Sequence, residues 1–589
     1  MIARKSLLGV LLSAAACAYS VHAQNLFEGA ADNDDSTPGG RASNFATKAS
    51  KQEKFDYGVA SGDPLATSVI LWTHVEPPHS NGPVSLTWEV STDEFFDDIV
   101  ASGKVDATLD TDHTAKVDAE GLEPGTEYWY RFKQGKRSSP IGRTRTLPTV
   151  GVDEVKFAVF SCSNYPAGYF HAYKDAVERG AKFALHLGDY IYEYPADGYA
   201  SEQAEAMGRK SDPETEVITL KDYRRRHAQY KSDPDAQLLH AAMPLIAIWD
   251  DHETANDAYM GGAANHDPAT EGTWQARMTA AIQAYHEWMP IRTGPAKEKI
   301  YRSFDFGDLI SLHMIDTRLI GRDKQADPSE APSFPIFLSS LFSPTRELLG
   351  QEQSIWLQGQ FTNSPGKWQI LGNQVLMSRM EVPIRILQYL GGDGLDPNNI
   401  PLFNNAVTAY ITAKQKKAAN VPLDQAELDL LDPTKNPKIG YNNDDWNGYP
   451  IAREKLLNGA AMAFANRDRK LVVLAGDTHN SWYADVAASG YFSANGGLTA
   501  DTVVGIQIAT PSISSPGLEY YLSAFPEAQV NQLFRGIIDD IKWMEASQRG
   551  WVMLTVSPSA VQADWIFVGN VFVKDFISSI VHTETVPAN

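Results

Sequence analysis

Cysteine is scarce in this chain, because 589 residues contain only Cys17 and Cys162. Cys17 lies in an amino-terminal segment that we expect to be removed, so the mature protein is predicted to keep Cys162 alone. One cysteine cannot form an intramolecular disulfide, which excludes a disulfide-stapled scaffold. A lone thiol outside the cytosol is open to oxidation, so Cys162 is either a buried core residue or a metal ligand.

An excess of basic charge is also missing, since the formal net charge is −22. This balance argues against nucleic-acid-specific binding, which needs a basic surface, and against attraction to anionic lipid. An acidic protein still binds an anionic substrate where bound cations reverse the local field. Beyond the amino terminus no apolar run is long enough to span a bilayer, so we predict no transmembrane segment. The sequence leaves the oligomeric state open.

The amino terminus has the features of a secretory signal peptide. Arg4 and Lys5 are followed by an apolar stretch, residues 7–16, that is too short to cross a bilayer, and Val21-His22-Ala23 offers a cleavage site. We therefore predict a signal peptide over residues 1–23 and a secreted or periplasmic protein. Lipid anchoring through Cys17 and a retained membrane anchor are minor alternatives. Arg4-Lys5 is not a twin-arginine pair.

The composition changes along the chain and predicts four regions after the signal peptide. Residues 54–149 consist of short strand-like runs separated by turns, and Gly121 to Tyr130 resembles a tyrosine corner. This favours an immunoglobulin- or fibronectin-like β-sandwich. In residues 150–570 apolar strands alternate with helical stretches, which predicts a large α/β domain. The regions are a flexible leader over 24–53, a β-sandwich over 54–149, an α/β domain over 150–570 with an insertion at about 384–440, and a C-terminal tail over 571–589.

Potential metal ligands follow four predicted strands of the α/β domain. They stand in the segments Ser161-Cys162-Ser163-Asn164, Gly188-Asp189-Tyr190-Ile191-Tyr192, Asp250-Asp251-His252-Glu253 and Gly476-Asp477-Thr478-His479. Ligands at the carboxyl ends of several strands are how a layered α/β fold builds one site from distant segments.

The chemistry of these residues suits a metal centre. A carboxylate such as Asp189 can bridge two cations, the Tyr192 phenolate is a hard anionic ligand suited to ferric iron, and a metal deprotonates the Cys162 thiol. In an extended loop, the side chains of Asp477 and His479 would lie on the same side and could reach one centre. Each fragment alone has a plainer interpretation as a turn, a helix cap or core packing. The four together predict a metal site.

Taken as a set, these motifs resemble those of PhoD-like alkaline phosphatases, a family of calcineurin-like metallophosphatases. The resemblance covers Phe55 to Trp565 and includes the fragments Gln353 to Leu357, Lys367 to Gln374 and Trp446 to Pro450. Asn447 stands where the family pattern has an aspartate. The resemblance implies a metallophosphatase-type β-sandwich core flanked by helices and preceded by the all-β domain.

The resemblance also implies a set of ligands and a phosphate-binding pair. Ferric iron (Fe3+) would be held by Cys162, Asp189, Tyr192 and Asp477. Asp189 would bridge to calcium (Ca2+), with Asp251 and His479 as further ligands and Asp250 as a less certain one. Asn164 and His252 would face the phosphate.

The leading hypothesis is therefore an exported, metal-dependent phosphatase that hydrolyses small phosphate esters by attack of a metal-activated hydroxide or oxo group. One alternative is a phospholipase D-like phosphodiesterase. An alternative of another class is an extracellular adhesion or binding protein built on the sandwich, which would leave four ligand clusters without a purpose. Arg453 is either a phosphate clamp or an ordinary surface arginine.

Overall fold

The computed structural model describes residues 55–76, 82–391, 394–395, 397–465, 467–488 and 502–588. The predicted signal peptide and leader lie outside them. None of the helices in the described part of the chain is both long and apolar enough to cross a membrane. The strands are β1 (Val59–Gly62), β2 (Ser68–His74), β3 (Val84–Ser91), β4 (Ile99–Ala107), β5 (Thr114–Glu120), β6 (Glu127–Gln134), β7 (Arg137–Ser138), β8 (Gly142–Arg145), β9 (Val155–Phe160), β10 (Phe183–His186), β11 (Leu245–Ala247), β12 (Arg302–Phe306), β13 (Ile310–Met314), β14 (Trp368–Gly372), β15 (Glu381–Pro383), β16 (Leu390–Gly391), β17 (Gly394–Leu395), β18 (Lys438–Gly440), β19 (Lys470–Ala475), β20 (Ser481–Ala488), β21 (Thr502–Ala509), β22 (Ile541–Glu545), β23 (Gly550–Val556), β24 (Ala560–Phe567) and β25 (Ser579–Pro587). The α-helices are α1 (His171–Glu178), α2 (Ala204–Met207), α3 (Leu220–Lys231), α4 (Pro234–Ala242), α5 (Pro268–Glu271), α6 (Trp274–Trp288), α7 (Phe334–Leu341), α8 (Gly350–Asn363), α9 (Ile384–Leu387), α10 (Ile400–Ala418), α11 (Gln425–Leu431), α12 (Pro450–Phe464), α13 (Leu518–Tyr521) and α14 (Glu527–Ile537).

Two large sheets form the centre of the molecule. One has the order β25-β24-β23-β9-β10-β11-β1-β2-β5 and the other β12-β13-β14-β19-β21-β20-β22. One buried cluster joins Phe157 and Leu185 of the first sheet to Leu312 and Val472 of the second, so the sheets pack face to face. Alternate residues such as Val473 instead pack beneath α8 and α12. The predicted mixed α/β fold is confirmed.

The strands of region 54–149 belong to two sheets. β3, β4, β6, β7 and β8 form a sheet of their own, whereas β1, β2 and β5 extend the first large sheet. The junction is a parallel pairing of β1 with β11, Gly62 opposite Leu245. The Tyr128 hydroxyl accepts a hydrogen bond from the Glu123 backbone N–H at 2.8 Å, as in a tyrosine corner. Hydrogen bonding is thus continuous across the boundary expected at residue 149.

The segment at 384–440 contains α9, α10 and α11, and β15 and β18 pair with Glu381 opposite Gly440, which brings its ends together. Phe403 and Tyr410 of α10 pack against Phe534 and Ile537 of α14. Residues 571–589, expected to be a tail, contain β25, which pairs with β24 at the sheet edge.

The parallel strands set the position of the site. β9, β10 and β11 are parallel to one another, and so are β13, β14, β19 and β21. Their carboxyl ends meet at one edge of the two-sheet core. The four ligand-bearing segments follow β9, β10, β11 and β19, and therefore meet there.

Candidate active site

Several predicted ligands sit in left-handed backbone conformations directly after their strands. The φ angles are 62° at Cys162, 55° at Asp189, 62° at Asp477 and 61° at His479. Residues other than glycine rarely adopt this region, and such strain collects at functional sites. Gly188 has a φ of 114°, and a Cβ there would lie 2.4 Å from the Asp250 Cβ. The backbone is thus bent sharply to bring these side chains together.

The first group of potential ligands contains Cys162, Asp189 and His479, whose ligand atoms lie within 4.8 Å of one another. The Tyr192 hydroxyl donates to Asp189 Oδ2 at 3.0 Å and lies 3.1 Å from His479 Nε2. Ser515 donates to the same hydroxyl at 2.8 Å. Burial raises the pKa of the Cys162 thiol and of the Asp189 carboxyl, and neighbouring carboxylates raise both further. His479, expected beside calcium, therefore stands among the expected iron ligands.

The second group contains Asp189, Asp251 and His252, again with ligand atoms within 4.8 Å. His252 Nδ1 lies 2.7 Å from Glu193 Oε2, and its ring stacks on Tyr192 with 4.3 Å between the centroids. Burial would lower the pKa of His252, but the carboxylates of Asp251, Glu193 and Asp189 outweigh it and raise the pKa. A protonated imidazole in this position donates to Glu193 through Nδ1 and keeps the Nε2 proton for the site.

The third group contains Asp250, Asp251 and Asp477 and already faces a fixed cation, the fully buried Arg318. Arg318 donates to Asp250, lies 3.4 Å from Asp251 Oδ1, and donates to Asp477 at 3.1 Å and to Asp444 at 2.6 Å. Burial raises the pKa of Asp250 to about 6. Burial also opposes ionisation of Asp251, yet Arg318 and His252 bring its pKa down to about 2. The sequence reasoning missed Arg318, although it follows β13 just as the predicted ligands follow their strands.

Glu253 also has a role that the motif alone did not reveal. Its carboxylate accepts hydrogen bonds from the backbone N–H groups of Asp189 at 3.0 Å, Tyr190 at 2.5 Å and Asp250 at 2.7 Å. Burial raises its pKa to about 8 despite these bonds. Glu253 therefore ties the turn after β10 to the turn after β11.

His479 is oriented by groups behind it. Its Nδ1 lies 2.8 Å from the Pro516 carbonyl oxygen, which can only accept, so this hydrogen bond assigns the proton to Nδ1. Nε2 is then free to bind a metal. Burial lowers the pKa of His479 to about 3, which keeps the ring neutral as a ligand must be.

Asn164 is buried at the same edge. Its amide nitrogen donates to the Tyr199 carbonyl at 3.3 Å, and its side-chain oxygen has no hydrogen-bond partner among the described residues. In this orientation the open atom is an acceptor, which suits a cation or a donor group better than a phosphate oxygen.

Arg453 is neither a phosphate clamp nor a surface arginine, so both interpretations were wrong. It is buried in α12 and donates to the carbonyl oxygens of Met377 at 2.5 Å and Ala487 at 2.9 Å. It therefore joins the helix to the core. Asn447 donates to Asp445 at 2.8 Å and accepts from the Met380 N–H at 3.0 Å. An aspartate at 447 would instead face Asp445 with like charge.

The residues present fit a site for more than one cation. Asp189 belongs to the first two groups and Asp251 to the last two, so the groups form one continuous cluster. Asp189 Oδ1 is buried and has no hydrogen-bond partner among the described residues. Buried carboxylates this close repel one another unless cations neutralise them. A thiolate, a phenolate and carboxylates suit iron, and the oxygen-rich side suits calcium.

Comparisons with known proteins agree with this geometry. Residues 157–565 match the family model described as PhoD-like phosphatase, and residues 40–148 match that of the PhoD-like phosphatase N-terminal domain. The chain is 34% identical over 529 residues to alkaline phosphatase D of Bacillus subtilis (strain 168), which covers 87% of this chain and 77% of that protein. A solved structure of PhoD superposes with a TM-score of 0.71 at 30% identity and covers 92% of each chain. The chain therefore belongs to the PhoD-like phosphatase family and is a phosphoric ester hydrolase.

Proposed function

We propose that this protein is an exported phosphatase whose activity depends on ferric iron and calcium at the strand-end cluster. The observation that carries the proposal is the position of Asp189, which is shared by two ligand groups and keeps one buried carboxylate oxygen without a partner. A bridging carboxylate needs both of these properties. The family membership supports the reaction class.

Cys162, Tyr192, Asp189 and His479 would hold the iron, with Asp477 at its margin, and Asp189, Asp251 and Asn164 would hold calcium. When bound, the cations supply Lewis-acid charge against the phosphate oxygens and a strong nucleophile at neutral pH. The protein must keep the ligands deprotonated and in place. Glu253 contributes by fixing the turns after β10 and β11. The Pro516 carbonyl contributes by holding the His479 proton on Nδ1.

His252 would act on the leaving group. Its raised pKa keeps the ring protonated, and Glu193 holds Nδ1 at 2.7 Å, so Nε2 can give its proton to the departing ester oxygen. After transfer, Glu193 and Asp251 favour uptake of a new proton from water. The proposed substrates are small phosphate monoesters. Phosphate diesters are the alternative substrates, as in the phosphodiesterase hypothesis.

Metal analysis combined with hydrolysis of 4-nitrophenyl phosphate tests the proposal. We expect iron and calcium in the purified protein, loss of activity on chelation, and at least a thousandfold loss in Asp189→Asn, on the order of what a group acting only in the transition state contributes. The control Tyr128→Phe removes a hydroxyl far from the cluster and should cost about 1 kcal/mol of stability with activity kept. Full activity of metal-free protein would refute the proposal.

Two further measurements address its finer parts. Comparing 4-nitrophenyl phosphate with bis(4-nitrophenyl) phosphate separates monoesterase from diesterase activity. Export is tested by expressing the chain with and without residues 1–23 and sequencing the amino terminus of the secreted product. A mature protein that begins at Gln24 supports the predicted cleavage, and retention of the full chain in the cytosol contradicts it.

A further inference from the structure

Four tyrosines extend from the buried cluster towards the surface, and we call Tyr194, Tyr199, Tyr520 and Tyr521 the tyrosine wall. The ring contacts form a continuous series. Tyr192, which stacks on His252, lies 6.4 Å from Tyr199 between centroids, and Tyr199 lies 5.9 Å from Tyr520 in an edge-to-face contact. Tyr194 lies 5.1 Å from His252 and 6.0 Å from Tyr199. The wall therefore starts at the proposed proton donor.

Burial changes along this series. Tyr192 and His252 are buried, whereas all four residues of the wall are half-buried. Two separate segments supply the rings, the loop after β10 and the short helix α13. Single exposed rings are common on protein surfaces, whereas partly exposed rings that touch one another beside a polar site are candidates for a binding surface.

The hydroxyl groups of three wall residues are tied to the protein. Tyr194 donates to Asn256 at 2.9 Å, Tyr199 to the Pro516 carbonyl at 2.8 Å, and Tyr520 to Glu202 at 3.1 Å. These bonds fix the planes of the rings, so little side-chain entropy is lost when another ring packs against them.

The Tyr521 hydroxyl provides a second, independent observation. Its oxygen is shielded from solvent and has no partner at good hydrogen-bond geometry among the described residues; its polar neighbours are the Tyr199 hydroxyl, which already donates to the Pro516 carbonyl, and the Asp477 carboxylate. A buried polar atom without a partner costs free energy unless a ligand supplies one. This hydroxyl is therefore available to a group that enters between the wall and the cluster.

We propose that the tyrosine wall binds the leaving group of the ester and that this group carries a flat aromatic base, so that nucleoside monophosphates are preferred substrates. The inference rests on the proposed function. With the phosphate at the ligand cluster and the ester oxygen at His252, the rest of the leaving group lies along the wall. A base stacks on tyrosine faces, and the Tyr521 hydroxyl offers a hydrogen bond to the sugar or the base.

Adenosine 5′-phosphate and ribose 5-phosphate test this preference, because the two esters release the same 5′-oxygen and differ in the base. We expect wild-type protein to show at least about a tenfold higher kcat/KM for the nucleotide, from the usual contribution of one stacked base. Tyr520→Ala should remove most of that preference through KM, with kcat little changed. Tyr520→Phe keeps the ring and should keep the preference.

Direct binding of adenosine by calorimetry separates this inference from the proposed function. Adenosine binding that Tyr520→Ala weakens supports the wall even if the protein hydrolyses no ester, an outcome that would reject the proposed function alone. Equal kcat/KM for the two esters in wild-type protein, or a nucleotide preference unchanged in Tyr520→Ala, would overturn the assignment of the wall while leaving the phosphatase intact.

Discussion

The Arg318 guanidinium lies 3.1 Å from the Asp477 carboxylate, in the third group of potential ligands. The same side chain contacts Asp250, Asp251 and Asp444. The charge of this part of the acidic cluster is therefore partly offset by the chain itself. Around Asp189 the positive charge of the chain is that of His252, which acts to lower the Asp189 pKa, and Asp189 Oδ1 has no hydrogen-bond partner among the described residues.

Replacing Arg318 by methionine should destabilise the metal-free protein by about 3–5 kcal/mol, because four carboxylates lose a buried partner. Calcium should restore part of this loss by taking over the neutralising role. Denaturant unfolding with and without calcium measures both effects. The exposed Arg137→Met is the control and should change stability by less than about 0.5 kcal/mol. Equal stability of Arg318→Met and wild type would refute the role of Arg318.

The variant Cys162→Ser should lose iron while the protein remains folded. A serine hydroxyl ionises far less readily than a thiol, so it replaces a soft anionic ligand poorly. Iron per chain and the melting temperature are measured in parallel. Full iron content with a lowered melting temperature would instead make Cys162 a core residue, since the substitution would then only bury a hydroxyl.

Glu253→Gln should loosen the two turns that hold Asp189 and Asp250. An amide has only one acceptor oxygen. Its NH2 group would therefore face a backbone N–H that now donates a hydrogen bond to the carboxylate, and two donors would meet. We expect a loss of about 1–3 kcal/mol in stability, together with weaker metal retention. Glu205→Gln, at a side chain that is 83% exposed, is a suitable comparison. Unchanged metal affinity in Glu253→Gln would show that the turns hold their shape without it.

Stability should fall as pH drops below about 6.5, in part through His313. Burial lowers the pKa of this residue to about 4, and its neutral ring bonds Ser303 at 2.7 Å and Gln369 at 2.9 Å. Between about pH 4 and pH 6.5 the histidine binds a proton in the unfolded chain but not in the folded protein. The free energy of unfolding is therefore highest above pH 6.5 and falls on acidification. His313→Gln should reduce the difference in unfolding free energy between pH 7.5 and pH 5 by about 2 kcal/mol. An unchanged difference would contradict this assignment.

Local patterns predicted the strands and the residues that follow them. Cys162, Asp189 and Asp477 each lie two residues beyond an apolar run. The parallel arrangement of the strands that these runs form brings the three residues together. Arg318 was missed because its partners are distant in sequence and nothing near it indicates an acidic cluster. Arg453 was misjudged because the helical pattern does not show whether a long polar side chain ends at solvent or at backbone carbonyls.

The pairing of β1 with β11 was also beyond sequence reasoning, since Gly62 and Leu245 belong to regions that looked separate. The expectation of a sandwich was reasonable for β3 and β6, which have the alternation of half-buried strands. The same alternation in β2 gave no sign that this strand continues the central sheet.

That pairing has a consequence for folding and for truncation. Asp63, which follows β1, is buried and accepts from Arg302 at 2.6 Å, so an ion pair seals the same junction. Removing residues 55–149 would turn β11 into a bare edge strand and leave Arg302 without its carboxylate, and such edges recruit other chains. Residues 55–149 thus cover the edge of β11 and protect the phosphatase region from aggregation. The two regions should unfold in a single cooperative transition.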